Sequence, residues 1–426
     1  MQIEGKTKRN DLFIWKIAEK ALISHIIKPK IELDMNENQT PEEYRDICPF
    51  TDEEFAGKMA ATVKEPGFKH AILWVMPDVD YDAFCAQLLA IRGKEEFQNK
   101  VMRPFLEMLS AKTTKGISAD GIDNISYSQA YTMITNHRDI VLDASLLNLS
   151  LLRAGKRTTE VAIGDNLLIY DWITNLVRLN KSIVVHRSVG MKHALEAAQQ
   201  LSGYIRFAVT EKKESVWIAQ REGRAKDSSD LTQESLVKML SIGGPNDTLS
   251  NILDLNIMPV AISYELDPND YLKAREFLLK KKDPSFKKTQ RDDLFSMETG
   301  LLQNKGHVHF QFTECINPEI ERLAGLDRHE QLLGVCEAID RHIHANYHLY
   351  PCNYIAYDQR MGSDEMRSRY SDDDLRSFND YLDGQLAKVQ KEVDFPLADD
   401  DYKFMRDMML VMYSNPVVNK RKLVEV

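Results

Sequence analysis

The sequence predicts an α/β fold: a mostly parallel sheet flanked by helices, with an N-terminal helical domain and a helical C-terminal extension. Three observations carry this. Short runs rich in β-branched residues alternate with helical runs between about residues 125 and 265. The intervening helical runs have the roughly 10 to 15 residues that a βαβ crossover needs. On either side of this zone, apolar residues recur at spacings of three and four, the helical period.

The first segment, 1 to about 115, reads as helices joined by loops. Examples are D-L-F-I-W-K-I-A-E-K-A-L-I from Asp11, Y-D-A-F-C-A-Q-L-L-A-I from Tyr81 and E-E-F-Q-N-K-V-M-R-P-F-L-E-M-L from Glu95. Strands are expected at 129–135, 161–163, 182–186, 215–220 and 257–264, with one more at 307–312. Helices are expected between them from Asp143, Asn166, Met191 and Gln233. The remainder reads as helical. The boundaries drawn from this pattern are 1–118 for the helical N-terminal region, 119–320 for the α/β domain and 321–426 for the C-terminal extension.

Composition narrows the function. A chain of 426 residues with 43% hydrophobic and 28% charged residues is an ordinary folded protein too long for one small core. Its net charge of −10 argues against a nucleic-acid partner and requires that any anionic ligand meet a local basic patch. The five cysteines are scattered and form no C-x-x-C pair, which argues against a disulfide framework or a thiolate zinc site. No stretch approaches the roughly 18 apolar residues that span a bilayer, and no secretory signal is expected.

Chemistry concentrates at strand ends, where open α/β sheets bind ligands. His137 follows the first strand of the α/β zone, in T-N-H-R-D-I-V-L-D. Two carboxylates, Asp139 and Asp143, stand near it. A carboxylate on one ring nitrogen frees the other to accept a proton. Arg187 ends the strand S-I-V-V-H and precedes a helix. Q-R-E-G-R-A-K-D places Arg221, Arg224 and Lys226 after another strand, with Gly223 permitting a tight turn. Arginine holds phosphate as a planar fork and lysine as a point charge.

The ordered set resembles the phospholipid/glycerol acyltransferase superfamily, which includes glycerol-3-phosphate and lysophosphatidate acyltransferases. The matching blocks are Asn136-His137…Asp143, Ile183 to Arg187, Glu222-Gly223-Arg224 and Met258-Pro259-Val260, with the ending Ser263-Tyr264-Glu265 similar to the glycerol-3-phosphate branch. Two departures stand out. Five residues separate His137 from Asp143 where the family has four, and no residue separates Gly223 from Arg224 where the family has one. The strand-to-helix loop can absorb the extra residue, so Asp143 is preferred over Asp139 as the partner of His137.

The resemblance implies an acyltransferase that moves a fatty acyl group from acyl-CoA or acyl carrier protein to a hydroxyl of glycerol 3-phosphate or a lysophospholipid-like acceptor. It implies catalytic roles for His137 and Asp143, and contacts from Arg187, Glu222, Gly223, Arg224 and Lys226 to a phosphorylated acceptor. No metal or other cofactor is expected. An amino-acid lipid acceptor is an alternative, as is a non-catalytic lipid-surface scaffold. The basic run at 271–291 is expected to meet a membrane surface, and the protein to lie in the cytoplasm on the inner face of the membrane.

Two other readings are weak. His137-Arg138-Asp139 matches the start of a kinase catalytic loop, but position 144 is Ala where that loop needs Asn. Asp340, His342, His344 and His348 lie close in sequence, without an H-E-x-x-H motif to mark a metal site.

Overall fold

A seven-stranded sheet organises the described residues, in the order β1-β7-β6-β2-β5-β3-β4. Its strands are β1 (Gly116–Asp120), β2 (Thr132–Thr135), β3 (Glu160–Gly164), β4 (Ser182–Val185), β5 (Val216–Ala219), β6 (Ile257–Tyr264) and β7 (His307–Phe312). Strands β2 to β6 run parallel, while β7 is antiparallel to β6 and parallel to β1. The computed structural model describes residues 40–187, 190 and 192–424. The helix expected from Asp11 lies outside them.

The central strands are buried on both faces, which explains their unbroken apolar runs. On β2, Ile134 joins one core cluster and Met133 the other. The Ile134 face is covered by helices that include Ala194–Thr210 and Arg328–Ala345. The Met133 face is covered by helices Arg103–Thr113 and Leu142–Arg153. A third apolar cluster joins helices Asp270–Lys282, Pro351–Met361, Asp372–Val389 and Asp399–Lys422. A fourth, around Phe55, Phe68 and Phe97, joins the N-terminal helices to Leu179. Residues Glu37–Val426 form one compact unit.

Pro259 sits inside β6, where a missing N–H would break a ladder. It is tolerated because β7 ends beside it. The Pro259 carbonyl accepts from the Thr313 N–H at 3.2 Å and its hydroxyl at 2.7 Å, so the proline ring faces the side where the ladder has finished.

Strand β1 is the strand that periodicity did not reveal. Its sequence, G-I-S-A-D, offers one large apolar residue, and it is an edge strand with alternating exposure. The helical pattern from Glu95 becomes helix Lys94–Phe97, a π-turn Gln98–Met102 and helix Arg103–Thr113. Pro104 supplies the cause: it has no N–H to continue an ordinary helical ladder.

Candidate active site

The chain leaves β2 through Asn136, whose side chain prolongs the sheet. Its amide nitrogen donates to the Ile262 carbonyl at 2.9 Å, and its oxygen accepts from the Ile262 N–H at 2.8 Å. This fastens the next residue, His137, at the sheet's carboxyl rim.

Asp143 opens the helix Leu142–Arg153 and is fully buried. Its Oδ2 accepts from three groups: His137 Nδ1 at 2.8 Å, Arg138 N–H at 2.6 Å and Asp139 N–H at 3.1 Å. Two donating amides leave this oxygen an acceptor, so Nδ1 carries the proton and Nε2 is the open nitrogen. The His137 ring is 12% exposed, on the cavity described below, while the Asp143 side chain has no exposure. Trp217 stands edge-on to the imidazole, with centroids 5.8 Å apart, and limits its rotation.

Asp139 is turned elsewhere. It caps the following helix through the N–H groups of Val141 (2.9 Å) and Leu142 (2.8 Å), and accepts from the Asn269 amide at 3.0 Å. Burial, then the nearby charge of Asp143, raises its carboxyl above the ordinary range. Gly300 gives it room: a Cβ there would lie 1.9 Å from Asp139 Oδ2.

A cavity of about 780 Å³ brings His137, Arg187, Arg221, Glu222, Gly223, Arg224 and Lys226 together. Arg187 lies across Gly164, where a Cβ would come within 2.9 Å of its Nε. Its backbone N–H donates to Asp165 at 3.1 Å, and its guanidinium reaches Glu222 only loosely, at 3.9 Å. Gly223 turns with φ 67°, a conformation glycine adopts without steric cost. Arg221 Nε and Arg224 Nη1 are buried without hydrogen-bond partners. Buried donors of this kind are normally paired, and both residues line the cavity, so its wall carries cationic side chains with unmet donor capacity.

Lys226 differs from the arginines. Its ammonium is held by Glu276, which Lys280 also pairs at 3.0 Å. Burial lowers the Lys226 pKa, and Glu276 offsets only part of this. Lys288, expected from the sequence to belong to the membrane-facing run, reaches the same wall while paired to Asp293 at 2.5 Å.

Beyond His137 the cavity becomes apolar. Leu149 and Leu152 line it from the helix after His137, Leu176 and Val177 from helix Asp171–Leu179, and Phe105 and Leu106 from a third helix. It extends to Thr158, just before β3. There Gln98 accepts from the Thr158 hydroxyl at 2.7 Å and donates to Asn180 at 3.3 Å, a polar patch at the far end.

The histidines after Asp340 serve separate partners. His342 contacts Glu319 at 2.6 Å, His344 the Asp230 carbonyl at 2.8 Å, and His348 packs against His309 and Tyr350. Among the described residues no group of three or more His, Cys, Asp or Glu could hold a metal ion. Trp217 and the channel wall were missed from the sequence. Asn136 was named there only as the residue beside His137 in the first block, without its role of fastening the strand end.

No family model and no curated protein matches the chain. Among solved structures, it is similar to the 1-acyl-sn-glycerophosphate (LPA) acyltransferase PlsC from Thermotoga maritima. That likeness has 14% identity and a TM-score of 0.32, over 68% of this chain and 95% of that one.

Proposed function

We propose that this protein transfers a fatty acyl group from a thioester, acyl-CoA or acyl carrier protein, to the hydroxyl of a phosphorylated acceptor such as glycerol 3-phosphate or a lysophospholipid. One observation carries the reading. His137 Nε2 opens at the junction of a cationic rim and an apolar channel within a single cavity. The two ends suit the two halves of such a reaction.

In this mechanism Arg221, Arg224 and Arg187 hold the acceptor's phosphate, and its hydroxyl faces His137. Each charge-assisted hydrogen bond contributes about 1.5–3 kcal/mol. Nε2 takes the hydroxyl proton as the oxygen attacks the thioester carbonyl. The tetrahedral intermediate collapses with cleavage of the C–S bond, and the imidazolium returns its proton to the leaving thiolate. Asp143 keeps the ring in the required tautomer and stabilises its charged form. The acyl tail lies in the channel, where each buried methylene contributes about 0.8 kcal/mol.

Among the described residues no helix is long and apolar enough to cross a membrane. We assign contact with an anionic bilayer to Lys287 and Arg291, which are exposed and have no carboxylate partner among the described residues.

The test follows thiol release from palmitoyl-CoA and from palmitoyl-carrier protein, with and without glycerol 3-phosphate or a lysophospholipid. Release is expected only when acceptor is present. His137→Ala should lower turnover by about 10²–10⁴-fold with its circular dichroism unchanged. Near-normal transfer by that variant would end the proposal.

A further inference from the structure

We propose that the C-terminal helices, together with a buried ion pair between Arg138 and Asp230, are the positioning device that holds the arginine loop 220–232 in register with His137. This rests on reading Arg221 and Arg224 as ligands of the acceptor's phosphate.

The loop runs between β5 and helix Glu234–Leu240 and has no regular secondary structure. Besides Gly223, two non-glycine residues take left-handed backbone conformations, Ser228 at φ 57° and Asp230 at φ 47°. Such residues keep these angles only where their surroundings over-determine them. The surroundings here come from two helices. On Arg328–Ala345, Asp340 accepts from the Thr232 N–H at 2.8 Å and His344 donates to the Asp230 carbonyl at 2.8 Å. On Asp399–Lys422, Asn415 donates to the Asp227 carbonyl at 2.6 Å, and Asn419 to those of Ser228 at 3.2 Å and Ser229 at 3.1 Å. Each helix presents its pair at i and i+4, the spacing that puts two side chains on one face.

Arg138 ties this assembly to the dyad. Its guanidinium grips both Asp230 oxygens, at 2.7 and 2.5 Å, and the Tyr347 hydroxyl donates to the second at 2.5 Å. Its own backbone N–H donates to Asp143 Oδ2. One residue thus bonds the dyad's carboxylate through its main chain and the arginine loop through its side chain. Arg138, Asp230, Asn415 and Asn419 do not line the cavity, so they act through the groups that do.

The test uses the full chain with Asn415→Ala/Asn419→Ala, and Asn415→Ala alone should the double variant fail to fold. Hydrogen exchange at the amides of 221–232 should quicken. The KM for glycerol 3-phosphate and the Kd for inorganic phosphate should both rise about tenfold, with the palmitoyl-CoA KM changed less than about twofold. Arg138→Met should also lower kcat, and Arg138→Lys, which keeps the charge without the fork, should recover part of it. Unchanged exchange, or faster exchange with phosphate Kd and acceptor KM unaltered, would overturn the inference while leaving the acyl-transfer reading intact. A wild-type protein that neither transfers acyl groups nor binds phosphate would remove both.

Discussion

The loop after β5 and the segment 271–291 are both rich in lysine and arginine, yet they handle charge in opposite ways. In the loop, Arg221 and Arg224 keep buried donor atoms without partners on the cavity wall. In the segment, Lys273 is 2% exposed and closed by Asp267, and Arg275 pairs with Asp292 at 3.3 Å. Lys280 meets Glu276, Lys282 meets Asp401 at 2.9 Å, and Lys288 meets Asp293. Most of the segment's positive charge is therefore neutralised within the protein. A run of cations in a sequence predicts a ligand site only to the extent that folding leaves them unpaired.

The sharpest way to break this contrast is Lys273→Met. It should destabilise the protein by about 3–5 kcal/mol, because it leaves Asp267 buried and unpaired. A shift in the chemical-denaturation midpoint measures it. A variant as stable as the parent would mean that the segment's cations are not structural.

Next in size is a pH effect in the same helix. Burial raises the Asp270 carboxyl from 3.8 to about 6, even though Tyr381 (2.7 Å) and Tyr413 (2.8 Å) donate to it. A carboxyl with a raised pKa favours folding when protonated. Its contribution is complete below about pH 4 and is lost as pH rises through 6, a fall of about 3 kcal/mol at 1.36 kcal/mol per pH unit. Asp270→Asn should lose this part of the pH dependence, seen as the difference between the two stability–pH curves. Parallel curves would disprove it.

Arg224→Ala should act on binding instead. The acceptor KM should rise about 10- to 100-fold, the loss of one charge-assisted bond, with stability changed by less than about 0.5 kcal/mol. Equal changes in acceptor and donor KM would place Arg224 outside the phosphate subsite.

An effect of similar size belongs to two cations that the segment leaves without a carboxylate partner among the described residues. Lys287→Glu with Arg291→Glu should weaken binding to phosphatidylserine vesicles by at least about 2 kcal/mol, at roughly 1 kcal/mol per cation removed. Lys280→Glu should change it less, since Glu276 already balances that charge. If Lys280→Glu has the larger effect, the membrane face lies nearer the cavity mouth than assigned.

Much of this architecture was legible because it is local. Strands β2 to β7 and most of the helices between them announce themselves through periodicity; the six-residue helix Thr248–Leu253 does not, being under two turns long, and β1 does not because it is short, polar and at an edge. His137 and Asp143 are six positions apart, so a strand end and a helix start bring them together without help from distant parts of the chain. The Arg138–Asp230 pair spans 92 positions, and Asn419 reaches the loop across about 190. No local pattern records such contacts.

The sequence by itself determined the element types, the rim on which the polar residues fall, and the dyad, because backbone period and nearest-neighbour geometry decide these. Tertiary structure decided which charges stay free. It turned Asp139 into a helix cap, neutralised Lys226 and most of 271–291, and opened an apolar channel beside the imidazole. The reason is physical: a charge's availability depends on which opposite charges and how much water surround it after folding, and both are set by residues remote in the chain.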